Sequence, residues 1–325
     1  MNKTVIVTGL RGMDGALLAE QLIRKDYKVY GLIRRNSQGL DLGNAKHLEG
    51  NPLLEIVEGD LLDQTSLNNL CKSARPNLFF NMASQSHVGS SFEQPNYTAQ
   101  VTGIGVLNCL EAIRNSGIYT KFLQASTSEL FGGLTGQPAN EETPFHPRSP
   151  YGVAKLFGHW MTRNYREAYK LFACTTICFN HEAPTRGPNF VTRKITQAVA
   201  KIKAGKQDEL RLGNLDAKRD WGYAGDFTKG MIDILTLTAE PDDYVLATGE
   251  THSVREFCEY AFSYVDLNYK DYVVVDPRFY RPAEVHVLIG DYSKINKALG
   301  WKPTVTFKGL VEMMVQHDLD LLKDK

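Results

Sequence analysis

Residues Thr4–Thr8 (TVIVT) are a short β-branched run that leads directly into Gly9-Leu10-Arg11-Gly12-Met13-Asp14-Gly15. Apolar residues then recur at helical spacing through Leu17, Leu18, Leu22 and Ile23. A strand, a glycine turn and a helix in that order leave few folds open. The glycines let backbone approach a pyrophosphate seated on the helix N-terminus. Glycine triplets alone are weak, and the alternative is a tight turn with no ligand. Lys28–Ile33 (KVYGLI) returns to strand at the distance that a β-α-β unit needs, which favours a dinucleotide site.

The alternation continues. Leu53–Val57, Leu78–Phe80, Lys121–Ala125 and Ala173–Cys178 read as strands; Thr65–Ser73, Thr98–Asn115 and Ser149–Tyr169 read as helices. This pattern predicts an α/β fold, a Rossmann-type doubly wound parallel sheet covered on both faces. Beyond Asn180 the character changes. Phe190–Ala204, Asp226–Thr238, Ser253–Val265 and Phe307–Leu322 read as helices, Val273–Asp276 as a strand, and Gly205–Tyr223 as polar loop. Two domains are expected, 1–180 for a cofactor and 181–325 as a smaller α/β substrate domain, with some elements interleaved.

Lys+Arg and Asp+Glu number 37 each in 325 residues, so the net charge is zero. That argues against nonspecific binding to nucleic acid or membrane. No basic segment precedes a long apolar one, and no 18-residue apolar stretch occurs, so a cytoplasmic protein is expected. Cys71, Cys109, Cys174, Cys178 and Cys258 lack disulfide or metal spacing and read as reduced, buried thiols. His47, His146, His159 and His317 show no ligand spacing either, and no metal site is expected.

The chemistry concentrates in Ser126-Thr127-Ser128-Glu129, Tyr151 and Lys155. Tyr151 and Lys155 are four apart and share a helix face, so the ammonium can help a phenol of pKa near 10 lose its proton. Thr127 can hydrogen-bond the reacting oxygen; otherwise it is a strand-end hydroxyl satisfying backbone. Glu129 is a second base that a simple dehydrogenase does not need; otherwise it is a solvated strand-exit carboxylate. Together they suggest oxidation followed by elimination. Arg34 and Arg35 end the second strand with no carboxylate beside them, which favours a 2′-phosphate and hence NADP over an exposed basic turn. Gly59-Asp60-Leu61 suits contact with adenine. Arg186, Arg193, Lys194, Lys218, Arg219, Arg278 and Arg281 can converge on a diphosphate, although several are expected to be solvated.

The longer runs are more specific. Phe179-Asn180-His181-Glu182, the stretch from Asn189 to Thr196, the stretch from Gly213 to Gly222 and that from Ala247 to Phe257 resemble the GDP-mannose 4,6-dehydratase family of the extended short-chain dehydrogenase/reductase superfamily. The resemblance covers nearly the whole chain. It implies NADP held by Gly9, Arg11, Gly12, Met13, Asp14 and Gly15, then by Arg35, Asp60, Leu61, Met82, Ala83, Ser84, Gln85, Ser86 and Tyr97. Tyr151, Lys155, His181 and Arg186 complete that set. It implies a GDP-sugar against Ser86, Asn180, Val191, Lys194, Gly213, Arg219, Arg281 and Glu284, with Lys194 and Arg219 suited to the diphosphate. Thr127, Glu129, Tyr151 and Lys155 would then move a hydride from C4 to C6 by way of NADP, with loss of water.

The chain departs from the family at Met13, where Gln is usual, and at Thr185, where an arginine is lost. It departs again at Ser90, in place of an aliphatic residue, and at Ser84, in place of alanine. Smaller Thr185 and Ser90 leave GDP-manno-heptose open beside GDP-mannose. The 36–45 loop differs from the family loop that reaches a neighbouring subunit, which leaves a dimer or a tetramer open for the expected homo-oligomer. Two other readings use the same fold: a nucleotide-sugar reductase or epimerase, and a non-catalytic NADP-binding protein.

Overall fold

Strand β1 (Thr4–Thr8) sits inside a seven-stranded, all-parallel sheet. The computed structural model describes residues 3–35, 39, 41–133, 136–280, 283 and 285–323. On one side of β1 lie β2 (Lys28–Ile33) and β3 (Leu54–Glu58). On the other lie β4 (Leu78–Asn81), β5 (Lys121–Ala125), β6 (Ala173–Cys178) and finally Asp243–Leu246. The strand order reverses between β1 and β4, and in such sheets a crevice opens beyond the strand C-termini at that point.

Side chains alternate across the sheet, and this divides the core. Val5 and Val7 join Leu18 and Leu22 of helix Met13–Ile23 and Phe227 of helix Ala224–Leu237. Ile6 faces the other way, into Leu67, Leu110 and Tyr165 from helices Gln64–Ala74, Gly105–Ser116 and Pro150–Tyr169. A separate core gathers helices Val191–Lys203, Val254–Ser263 and Phe307–Lys323 around Phe257 and Leu310. Its helix ends are well defined; Ser253 and Glu256, for example, form a reciprocal capping box.

Three features differ from the pattern-based expectation. Asp243–Leu246, a strand the pattern did not suggest, pairs with β6, and residues 224–246 are one place where the second half interleaves with the first core. DYVL is only four residues long and too short to declare itself. The segment expected as one helix is Pro95–Thr98, a π-turn over Ala99–Ile104, then Gly105–Ser116. Here the Thr102 hydroxyl receives the Gln85 N–H at 3.1 Å, and a Cβ on Gly105 would meet Leu61 at 2.9 Å. Within Gly205–Tyr223, strands Leu210–Leu212, Lys218–Arg219 and Trp221–Tyr223 pair with Val273–Val275, His252–Ser253 and Asn180–Glu182. At two or three residues they show no alternation. Among the described residues, no helix is long and apolar enough to cross a membrane.

Asp220 ties these returning segments together. Its fully buried carboxylate accepts from Thr248 N (2.8 Å), Thr248 Oγ1 (2.7 Å), Gly249 N (3.0 Å) and Gly290 N (3.2 Å). An amide in its place turns an NH2 towards these donors. Asp220→Asn is therefore expected to cost about 2–4 kcal/mol of stability, as two buried donors lose their acceptor. Urea unfolding checks this; an unchanged midpoint would show that Asp220 is no such anchor.

Candidate active site

A chain of buried polar groups runs along the C-terminal ends of β1, β4 and β5. Thr8 Oγ1 donates to Asn81 Oδ1 at 2.7 Å, and Asn81 Nδ2 donates to Gln124 Oε1 at 2.7 Å. Gln124 Nε2 then donates to Ala125 O at 2.7 Å, and the Lys155 ammonium donates to the same carbonyl at 2.7 Å. Thr8 also accepts the Met82 and Ala83 N–H groups, each at 3.0 Å, which fixes the start of the 82–93 segment. Pattern reading overlooked Thr8, Asn81 and Gln124. The available signal was a polar residue at or near the end of each otherwise apolar strand.

A cleft of about 1210 Å³ opens above this chain, between the two cores. One end is the glycine turn. Gly12 N donates to Gly9 O at 2.9 Å, and a Cβ on Gly15 would fall 2.2 Å from that oxygen. Gly9 has a φ of +70°, and a Cβ there would touch Ala83 backbone at 2.9 Å. The bare turn at the head of helix Met13–Ile23 fits a dinucleotide pyrophosphate. Arg11, Met13, Asp14, Asp60, Leu61, Met82, Ala83, Ser84, Ser86 and Tyr97 all line the cleft. Arg34 lines it too and donates to Tyr97 Oη at 2.6 Å. Arg35 does not; it is largely exposed and lies 3.5 Å from Glu58. Gln85 is also outside the lining, where its side chain fastens His87 and Thr98. Arg11 instead pairs with Asp41 of the following loop.

Thr127, Glu129, Tyr151 and Lys155 sit in the middle. Thr127 caps the short turn Ser128–Phe131 by accepting Glu129 N at 3.2 Å. Ser149 caps Pro150–Tyr169 by accepting Gly152 N at 3.0 Å. A Cβ on Gly152 would lie 3.0 Å from Glu129 O, so the glycine after Tyr151 lets the two turns touch. Thr127, Glu129, Tyr151 and Lys155 are all buried and all line the cleft. Burial pushes the Tyr151 phenol above its ordinary value; the neighbouring Thr127 hydroxyl pulls it back and the Glu129 charge pushes it further up. Burial brings the Lys155 ammonium down to about 8. The Lys155 ammonium lies 5.8 Å from the Tyr151 ring centre and donates to Ala125 O, and burial leaves the phenol above its ordinary value rather than below it.

His181 faces two acceptors. Its Nδ1 is 2.7 Å from Phe179 O and its Nε2 is 3.1 Å from Asp14 Oδ2. A carbonyl and a carboxylate can only accept, so both ring nitrogens carry protons and the ring is an imidazolium. Burial works against this charge, but Asp14 and the two hydrogen bonds outweigh it and raise the pKa of His181. Burial likewise pushes Asp14 up, and His181, Arg186 and Lys155 more than reverse that. The Arg186 guanidinium caps the Phe190 ring at 3.6 Å and lies 3.0 Å from Glu182.

The far end of the cleft belongs to the second core. Val191, Lys194, Gly213 and Arg219 line it with Asn180, whose buried Oδ1 has no hydrogen-bond partner. The Lys194 ammonium lies 3.8 Å from the Phe279 ring centre, and burial lowers its pKa. A Cβ on Gly213 would fall 2.6 Å from Phe279 O, so bare backbone edges the cleft there. Arg219 donates to the carbonyls of Lys218 and Val285 at 2.8 Å each. Arg193 is not a ligand candidate. Its guanidinium is buried against Asp318 at 2.7 Å and donates to Pro184 O and, at 3.3 Å, to Arg186 O, thereby steadying the loop that carries Arg186. Arg278 lines the rim and pairs with Asp276 at 2.6 Å; Lys218 lies outside the lining. Arg281 and Glu284 lie outside the described residues.

The His181–Asp14 pair has a pH signature. A raised histidine pKa contributes stability that is fully present below the unfolded value of about 6.5 and is lost as pH rises through the folded value. Asp14, with its lowered pKa, contributes above its unfolded value of about 3.9 and loses that contribution as pH falls through the folded one. In an NMR titration, His181 is expected to titrate above about 6.5 in the native protein and lower in Asp14→Asn. Equal values in the two proteins would break the pairing argument.

The family model described as GDP-mannose 4,6 dehydratase matches residues 6–314. GDP-mannose 4,6 dehydratase 2 of Arabidopsis thaliana is 50% identical over 331 residues, covering 99% of this chain and 88% of the relative. The Homo sapiens GDP-mannose 4,6 dehydratase is 45% identical over 98% of this chain and 92% of its own length. Among solved structures, a UDP-glucose 4-epimerase of Thermus thermophilus in complex with NAD superposes with a TM-score of 0.84 at 26% identity, covering 97% of this chain and 98% of that one. RMD from Pseudomonas aeruginosa complexed with NADPH superposes with a TM-score of 0.81 at 24% identity, covering 98% of this chain and 100% of that one, and shares the fold. The chain belongs to the GDP-mannose 4,6-dehydratase family.

Proposed function

We propose that the protein is an NADP-dependent GDP-sugar 4,6-dehydratase acting on GDP-mannose, with GDP-manno-heptose as the competing substrate. The observation that carries this reading is a buried Glu129 in the same cleft as Thr127, Tyr151 and Lys155. A 4-reductase has no use for a base at C5. The glycine turn with Met82, Ala83, Ser84 and Ser86 would hold NADP, with Arg34 as the lining cation at the end of β2 for a 2′-phosphate. Bound there, NADP would supply the hydride acceptor for C4 and, once reduced, the hydride donor for C6.

The chain's own residues do the rest. Tyr151, as phenolate, takes the C4 hydroxyl proton, with Thr127 hydrogen-bonded to the same oxygen. Lys155, anchored on Ala125 O, holds positive charge under the site. The C4 ketone acidifies the C5 proton; Glu129 takes it and hands a proton to the C6 oxygen, which leaves as water, and a solvent-exchanged proton returns to C5 as the hydride reaches C6. Lys194 and Arg219 place cations at the end where a diphosphate would lie. Fixed placement of both bases against one sugar supplies much of the rate.

Incubation with GDP-mannose or GDP-manno-heptose, without added NADPH, is expected to give a product lighter by one water. In D2O that product carries deuterium at C5. Steady NADPH consumption with no loss of water would instead identify a reductase. Glu129→Gln is expected to cut kcat by about 10²–10⁴-fold while GDP-sugar binding is retained. Full activity in that variant would remove Glu129 from the mechanism.

We also infer a homo-oligomer. Val153, Phe157 and Trp160 lie on the outer side of Pro150–Tyr169, with 56%, 39% and 48% of their surface exposed, and Ile104 is 41% exposed on the adjacent π-turn. An apolar patch of this kind suits a second copy of the same helix. Light scattering is expected to give a dimer or tetramer that Trp160→Glu breaks into monomers; a monomeric native protein would overturn the inference.

A further inference from the structure

We propose that Glu182 is a positioning residue: its buried carboxylate sets the Arg186 guanidinium against the diphosphate of a nucleotide, and the location selects NADP. This inference rests on the reading that the cleft binds NADP. Glu182 is only 2% exposed, and the reaction steps above give it no proton to carry. Its Oε2 is fixed from one side by the Thr192 hydroxyl, which donates at 2.8 Å. Thr192 is itself fully buried, in the first turn of helix Val191–Lys203. From the other side Arg186 Nε lies 3.0 Å from the same oxygen. Burial raises the Glu182 pKa, and the Arg186 charge and the Thr192 hydroxyl pull it back. Carboxylate and guanidinium therefore depend on each other.

Arg186 is held along its whole length. Its backbone N donates to Ala183 O at 2.9 Å, and its carbonyl accepts from Arg193 Nη1 at 3.3 Å. The face of the guanidinium rests on the Phe190 ring at 3.6 Å. Nε is sealed from solvent without an aligned hydrogen bond, so its contact with Glu182 is ionic. Nη1 and Nη2 are not sealed, and they make no hydrogen bond among the described residues. Arg186 lines the cleft, so these two nitrogens are the ones left for a ligand. A fixed planar fork of donors suits paired phosphate oxygens.

The surroundings select the cofactor. The Arg186 charge is close enough to help lower the pKa of Asp14, in the glycine turn, and to pull down that of Tyr151. Lys194, at the other end of the cleft, feels Asp276 instead. Arg186 thus faces the glycine turn where a dinucleotide pyrophosphate fits.

The test is a double-mutant cycle read by calorimetry of NADP binding, with the native protein, Glu182→Gln, Arg186→Ala and the double variant. Gln keeps an oxygen for Thr192 and removes the charge. Glu182→Gln is expected to weaken NADP binding about ten-fold, and Arg186→Ala at least as much. The double variant is expected to bind NADP no more weakly than Arg186→Ala alone, because the carboxylate acts through the guanidinium. A carboxylate that touched the nucleotide, or that merely supported the fold, would weaken binding in the Arg186→Ala background as well, and that result overturns the proposal. Unchanged NADP affinity in Glu182→Gln does the same. Thermal melting checks that each variant folds. If Glu182→Gln does not, Glu182→Asp, which keeps the charge but withdraws it by one methylene, takes its place with the same expectations. Should the native protein bind no NADP, the cofactor reading fails. The cycle repeated with GDP then decides this inference: a loss in Glu182→Gln that vanishes in the Arg186→Ala background supports it, and an additive loss or none overturns it.

Discussion

Everything in the cleft hangs on one carbonyl. Ala125 O receives both the Gln124 carboxamide and the Lys155 ammonium. Through Gln124 it is coupled to Asn81 and Thr8, and hence to the chain that leaves β4. An unpaired buried donor or acceptor costs about 1–3 kcal/mol, so no member can turn away without stranding its neighbour. The strand ends, the 82–93 wall and the lysine are therefore set in one geometry. Tyr151, one helical turn before that lysine, inherits its position.

Charge is arranged with similar economy. The chain has no net charge, yet the cleft gathers Arg11, Arg34, Lys155, His181, Arg186 and Lys194 along its length. Asp14 and Glu182 sit beneath them and hold two of these cations in place. Arg193 looks from its spacing like one more phosphate ligand, but it serves the fold by binding Asp318 and the loop before it. A basic residue in this region can be spent on either task, and only the partner distinguishes them.

Much of the first core was legible in the chain. Lys28–Ile33, Lys121–Ala125 and Ala173–Cys178 appear with the bounds their composition suggested, because strands buried on both faces read as continuous apolar runs. The glycine turn and the Tyr151–Lys155 pair were equally plain, since their spacing is local. Long-range assignments were not. Nothing in DYVL says that it must travel back to β6, and nothing around Arg35 says that Glu58, not the cleft, is its neighbour. The π-turn was hidden because Thr102 is taken by Gln85, a tertiary bond with no local signature. The high phenol pKa of Tyr151 was missed for a related reason: burial depends on the whole assembly.

The return of Asp243–Leu246 to the sheet also bears on how such a protein can be cut or recombined. β6 is buried at all six positions, and one of its two edges is covered only because this late segment arrives. A fragment ending at residue 180 keeps the glycine turn, Tyr151 and Lys155 but bares an apolar strand edge, a template for aggregation. The cofactor-binding half is thus not a module that can be lifted out and joined to another partner.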